Sequence, residues 1–358
     1  MFRRLLSLSN YMIRLLLFFC ISVITLQGCQ SKNKASGREV SRAFYHWKTV
    51  FSPTQYEWDI LHQNKVNELY LRFFDVAWDE AGSKPAPIAQ LRIGEPNIFA
   101  EEKLQLIPTV FITNECIQKI RPEQCAPLAE NIHKLIRGII TANAIDSVQE
   151  IQIDCDWTAS TKEKYFSLLT ALQQLDTVHA YSATIRLYQV KYVAKAGVPP
   201  VKKGLLMCYN MGNLKDPSSE NSILDPNVLK QYTSGLNSYP LPLDLALPLF
   251  DWYVLFRNNE YKGLVQQADV RAINNIVQPS GKNHFVLAKD TTLNNVSFFK
   301  GDVLRFENSS FTEIMEAASV IRKKLPARSM RLSLYHLDSI TLSKYSPHEM
   351  EAIFRSLD

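Results

Sequence analysis

The chain predicts an α/β fold: a (β/α)8 barrel of the TIM type, with a small β insertion before the last strand–helix unit. Three observations predict it. Short apolar runs of strand length alternate with amphipathic helical segments along residues 43–358, and that alternation builds parallel sheets wrapped by helices. The alternation can be counted eight times, the number of units that closes such a barrel. Acidic and aromatic residues gather where the strand runs end, the face on which a barrel places its chemistry.

Each element has its own signal. Ala43 to Trp47 reads as the first strand, and Tyr56, Ile60 and Leu61 then recur at helical spacing. Glu68 to Asp75 is the second strand. Residues 76–103, with Pro85, Pro87 and Pro96, hold no full helix pattern. Gln105 to Thr113 is the third strand; Pro108 argues against a central position unless it sits where the strand begins. Leu128, Ile132, Leu135, Ile136 and Ile139 make the apolar stripe of a helix over 126–143. Glu150 to Trp157 is the fourth strand, with its helix over 161–175. Val178 to Arg186 and Gly204 to Gly212 are the fifth and sixth strands, followed by helices over 190–196 and 226–234. The seventh lies within Leu243 to Phe256, with Asp251 and Trp252 in it. Residues 257–310 exceed a connection and read as the β insertion, with turn signals at Asn294-Asn295 and Lys300-Gly301-Asp302. Phe311 to Leu325 is a helix and Arg331 to Asp338 the eighth strand. Ser346, Pro347 and Glu349 open the last helix with a cap, a first-turn proline and a capping-box acid.

Residues 1–28 read as a targeting segment rather than fold: Arg3, Arg4 and Arg14 flank an apolar run from Leu15 to Leu26 that is short for a membrane-spanning helix. The segment ends in Leu26-Gln27-Gly28-Cys29, which resembles a bacterial lipobox. That resemblance implies cleavage before Cys29 and a lipid on its thiol, anchoring the protein to a membrane without spanning it. Gln30 differs from the aspartate that retains lipoproteins at the inner membrane in enteric bacteria, so the outer membrane is the expected location. Residues 29–42 are polar and read as a flexible tether.

The leader holds three of the 40 basic residues and none of the 35 acidic ones, so the mature net charge is about +2. Nucleic acid, which wants a concentrated basic face, is therefore not an expected partner. Of six cysteines, Cys20 leaves with the leader and Cys29 takes the lipid. Cys155 and Cys208 sit in apolar strand patterns. Cys116 and Cys125 share a polar stretch in an oxidising compartment, which suggests a local disulfide. No Cys/His spacing fits a zinc site, and no cofactor is expected.

The predicted strand ends collect Trp47, Asp75, Asp154, Asp156, Trp157, Tyr209, Asn210, Asp251, Trp252 and Asp338. Alternate residues of a strand face one side, so Asp154 and Asp156 point together, about 7 Å apart along the backbone. Indole faces stack on sugar rings and carboxylates bind hydroxyls, which makes a carbohydrate the expected partner. Taken alone, each tryptophan is better explained by filling the barrel rim, and Asp154 by accepting buried hydrogen bonds. In a two-carboxylate hydrolase, Asp156 serves as the acid and Asp75, Asp251 or Asp338 as its partner, with carboxyls about 5 Å apart for retention or about 6.5–9.5 Å for inversion. His46 and His336 are further acid/base candidates, and Arg186 a partner for a nearby acid.

The fourth strand, Ile153-Asp154-Cys155-Asp156-Trp157, resembles the acidic motif of chitinase-like family 18 glycoside hydrolases. Met207-Cys208-Tyr209-Asn210 is similar to that family's Met-x-Tyr-Asp strand, and Trp252 to its late tryptophan. The resemblance implies the barrel and a sugar ligand, with Asp154, Asp156 and Asp251 as catalytic candidates and Trp47, Asp75, Trp157, Tyr209, Asn210, Trp252 and Asp338 as substrate contacts. The chain departs from the pattern at two places. The family's proton-donating glutamate is Thr158, whose hydroxyl cannot donate as an acid near neutral pH, and its second-motif aspartate is Asn210. The expectation is therefore a lipoprotein whose barrel acts on or binds poly- or oligosaccharide. The alternative is a non-catalytic surface lipoprotein whose barrel mouth holds a glycan or protein partner.

Overall fold

The structure is a computed structural model and describes residues 38–95, 98–146, 148–294 and 296–358. The leader and Cys29 lie outside the described residues. Residues 38–358 form one unit that holds the whole of the described core.

Eight parallel strands close into a barrel: β1 (Val40–His46), β2 (Glu68–Asp79), β3 (Gln105–Ile112), β4 (Glu150–Asp154), β5 (Ala180–Arg186), β6 (Lys203–Met207), β7 (Leu243–Pro248) and β8 (Met330–Tyr335). Each pairs with its sequence neighbours, and β1 pairs with both β2 and β8, which seals the ring. Their inward and outward faces are both covered, so the strands are almost continuously buried; all five residues of β4 are. Helices Cys125–Ala142 and Lys162–Leu175 bury the apolar stripes that their 3.6-residue spacing creates, among them Ile132, Ile136, Leu168 and Leu172. Each such side chain contributes about 1.5–3 kcal/mol on leaving water. The last helix, Pro347–Phe354, starts at Ser346 with the expected box: Ser346 Oγ accepts from Glu349 N, and Glu349 accepts in return.

Three places differ from the sequence expectation. The eightfold strand–helix alternation breaks at the second unit: among the described residues it has no full barrel helix, in keeping with the missing helix pattern over residues 76–103, and only the short turn Ile98–Glu101. Instead β2 runs on to Asp79 and turns back into an antiparallel strand, Lys84–Ile88, which is the free edge of the barrel sheet. Pro108 is in the middle of β3, opposite Leu71, rather than at its start. The neighbouring register shifts between Arg72 and Phe74, so the regular ladder is interrupted beside the residue that cannot donate to it. The seventh strand stops at Pro248. Asp251–Arg257 already belongs to the insertion, a five-stranded sheet whose first hairpin turns at Asn258 and Asn259, both with positive φ. This sheet has a separate small core around Leu255, Leu287 and Leu304.

The expected bridge is also absent. Cys116 and Cys125 are free and buried, as are Cys155 and Cys208. Cys116 lies in the first turn of the short helix Asn114–Lys119, while the Cys125 thiol donates to the Lys164 carbonyl at 3.5 Å. Their closeness in sequence put them in one polar stretch, but each is drawn into the core as a small hydrophobe.

The strand starts form the barrel floor, where a buried ionic network sits. Arg331 donates through Nε to Glu68, and through Nη1 to Tyr70 Oη (2.7 Å), Glu150 (3.1 Å) and Asp244 (3.4 Å). Lys203 reaches Glu150 (2.9 Å) and Asp244 (2.8 Å). Burial opposes ionising Glu150, but Arg331 and Lys203 outweigh it and hold that carboxyl below its ordinary range.

Candidate functional site

At the opposite end, strand exits deliver side chains into one cavity of about 360 Å³, lined by Trp47, Phe111, Asp154, Asp156, Arg186, Tyr209, Asn210, Phe250, Asp251, Trp252, Tyr335 and His336 among others. A second cavity of about 320 Å³ shares Asp156, Arg186, Tyr209 and Asn210 with it and extends past Tyr188 and Tyr232. Nine residues singled out from the sequence therefore meet here: Trp47, Asp154, Asp156, Arg186, Tyr209, Asn210, Asp251, Trp252 and His336.

β4 ends at Asp154, and the chain then leaves the strand, so the two aspartates acquire different surroundings. Asp154 is 3% exposed. One of its oxygens accepts from Thr184 Oγ1 on β5 at 2.6 Å. Burial, then the neighbouring Asp156, raise its carboxyl to about 6, against the opposing pull of Arg186 and Thr184. The side chain of Asp156 is 46% exposed. It accepts two bonds from Arg186, from Nε at 2.5 Å and Nη2 at 3.1 Å, a bidentate pairing that fixes orientation as well as charge. Burial works against the Arg186 guanidinium, but Asp156 and Asp154 more than offset it and keep the guanidinium above its ordinary value.

Aromatic rings form the wall. Tyr335 contacts Trp47 (5.9 Å between centroids), Tyr209 (5.3 Å) and Phe250 (5.5 Å), and Phe250 contacts Trp252 (5.1 Å). Trp252 is held from the insertion: its Nε1 donates to Glu307 at 2.7 Å, and Glu307 also accepts from Ser222 Oγ at 2.5 Å and from Arg305. Trp47 is held by Arg72, whose guanidinium lies 5.4 Å from the ring centre. Asn210 takes a positive φ of 54° as the chain leaves β6, a conformation asparagine tolerates.

Three expected contacts do not reach the cavity. Trp157 is fully buried: its Nε1 donates to the Ala196 carbonyl at 2.9 Å and its ring stacks on Tyr165. The chain turns after β4, sending this indole outward under the helices rather than into the mouth. Asp75 is buried and taken up by Arg72. Asp338 caps the helix Ser339–Leu342 through Thr341 N (3.0 Å) and pairs with Lys48 (2.6 Å). Asp251 lines the cavity and pairs with Lys344. Burial pushes His46 down to about 3 and His336 to about 4, so neither ring carries a proton near neutrality. Among the described residues, no group of three or more Cys, His, Asp or Glu side chains can hold a metal ion.

At Thr158, where the resemblance calls for a glutamate, the hydroxyl lies 2.9 Å from Ser160 Oγ and the backbone N–H donates to Thr161 Oγ1 (2.8 Å). The position serves to start the helix Lys162–Leu175. Tyr335, Phe250, Thr184 and Glu307 escaped the sequence reading. Alternation along β8 points to Tyr335, but nothing local marks Glu307, which reaches Trp252 from 55 residues away.

No family model matches the chain, and no curated protein sequence matches it. Solved structures do match in shape. The Bacillus cereus spore cortex-lytic enzyme SleL aligns with 90% of this chain and 75% of its own, at 13% identity and a TM-score of 0.53. A chitinase from Bacteroides thetaiotaomicron covers 88% and 96% of the two chains at 10% identity, with a TM-score of 0.52. A chitinase from Chromobacterium violaceum covers 88% and 98% at 10% identity, with a TM-score of 0.50. At these identities the likeness is one of fold: the chain is a (β/α)8 barrel, distantly similar in architecture to these chitinase-like structures.

Proposed function

We propose that the barrel mouth binds a poly- or oligosaccharide, and that the protein is a lipoprotein anchored through Cys29, in the outer membrane. The observation that carries the glycan reading is the single cavity in which the rings of Trp47, Tyr209 and Trp252 stand beside Asp154, Asp156 and Asn210. Binding without the family's hydrolysis is favoured, because Thr158 supplies no acid and Asp156 is already engaged by Arg186. A glycan array with residues 30–358 tests it, run beside Trp252→Ala. Binding that falls at least tenfold in the variant, with the far-ultraviolet spectrum unchanged, supports the reading; no retained glycan on any array rejects it in favour of a protein partner. Lipid on Cys29 is checked by the intact mass of the chain extracted from membranes.

A second reading rests on Asp154. A buried carboxyl raised to about 6 is a proton carrier at the mouth, so hydrolysis by a different arrangement is the competing outcome. It requires reducing ends to appear from a bound glycan and to disappear in Asp154→Asn.

A further inference from the structure

The barrel floor carries a second charged feature, on its outside. Helix Phe311–Arg322 ends at the floor, and Lys323 and Lys324 follow it. Arg322, Lys323 and Lys324 are exposed, and Arg328 stands half-buried in the turn before β8. Arg38 lies among them: its guanidinium donates to the carbonyls of Leu325 (2.9 Å), Arg322 (3.2 Å), Pro326 (3.4 Å) and Leu357 (3.4 Å). Burial, then Arg322 and Arg328, lower the Arg38 pKa, so these cations feel one another. No carboxylate pairs with any of the five among the described residues. The nearby acids are otherwise placed: Asp358 is beside Arg355, and Glu39 accepts from Ser329 Oγ at 3.3 Å. A helix C-terminus presents roughly half a negative charge, which accounts for one cation and not for five.

Position gives the cluster its meaning. Arg38 follows Cys29 by nine residues, and nine peptide units span at most about 30 Å. We infer that this basic corner of the barrel floor docks on anionic lipid headgroups, so that the mouth, at the other end of the strands, faces away from the bilayer. As a statement about the cell, the inference rests on the lipoprotein reading of Cys29. The chemistry of the surface can be tested apart from it.

The test uses residues 30–358, which contain the whole folded unit, in sedimentation with vesicles of phosphatidylcholine alone and of phosphatidylcholine with phosphatidylglycerol. Binding is expected on the anionic vesicles only, and to weaken with salt. Replacing Arg322, Lys323 and Lys324 by glutamine is expected to lower it on the order of 100-fold. The matched triple Lys282→Gln, Lys289→Gln and Lys300→Gln, exposed on the insertion and equal in charge, is expected to leave it unchanged. Equal loss in both triples, equal binding to both vesicles, or tighter binding to duplex DNA or polyglutamate than to anionic vesicles would overturn the proposal. Headgroup-dependent binding with no lipid found on Cys29 in the full chain sinks the anchor and leaves the surface standing. A lipidated chain whose vesicle binding ignores headgroup charge does the reverse.

Discussion

At the barrel floor, two cations, Arg331 and Lys203, face three carboxylates, Glu68, Glu150 and Asp244, all of them buried but Lys203, which is partly exposed. At the mouth, Arg72 takes Asp75 and Arg186 takes Asp156, while Asp154 is left with a hydroxyl as its bonded partner. Both ends therefore use arginine–carboxylate pairing. They differ in what is left over: in the buried floor network each of the three acids meets a cation, whereas the mouth keeps one buried acid unmatched. An unmatched buried carboxyl costs stability near neutral pH, and a protein tolerates that cost where the group is used. The comparison teaches that charge is neutralised by pairing at the floor and left uncompensated at one buried acid of the mouth.

The difference can be broken at its strongest point. Arg331→Met strips the main partner from three buried acids and is expected to cost about 3–5 kcal/mol, measured as the shift in the urea unfolding midpoint. Asp154→Asn has the opposite sign. A carboxyl raised in the folded state stabilises below its unfolded pKa and loses that contribution as pH climbs through about 6. The asparagine variant, which keeps an acceptor for Thr184, is therefore expected to be more stable than the parent at pH 7, by up to about 3 kcal/mol. The advantage should vanish near pH 4. Glu150→Gln at the floor reverses this pH dependence: its carboxyl is lowered in the folded state, so the parent is the more stable at pH 7 and its lead fades as pH falls. Unfolding curves across pH for the two variants would erase the contrast if they ran in parallel. The smallest effect is expected for Arg186→Met. Its partner Asp156 is half-exposed, so the loss is about 1 kcal/mol or less, and a cost as large as that at Arg331 would mean that the two pairs are equivalent.

Much of the barrel was legible because it is written in local periodicity. Strand runs and the apolar stripe of residues 126–143 need only neighbours three or four positions away. The central cavity was legible too, since Asp154, Asp156, Tyr209 and Asn210 fall at or just past strand ends, whereas Trp252 reaches it from the first strand of the insertion. The misses are long-range. Arg331 meets Glu68 across 263 residues, and a charged residue at a strand start looks in sequence like a solvated end. Trp157 reads the same as Trp252, yet a turn of backbone after Asp154 sends one indole to the core and the other to the mouth. The hairpin that replaces the second unit's helix was hidden by its prolines, which argue against a strand except at an edge.

That hairpin has a consequence for how the protein meets copies of itself. Strand Lys84–Ile88 is the free rim of an otherwise closed sheet. Pro85 and Pro87 pair with Trp78 and Val76, and because proline cannot donate, these must be the positions whose nitrogens point away from β2. The outward side of the rim thus has no N–H to offer an incoming strand. The rim therefore ends in a row of acceptors with no donors, a poor template for pairing with another strand.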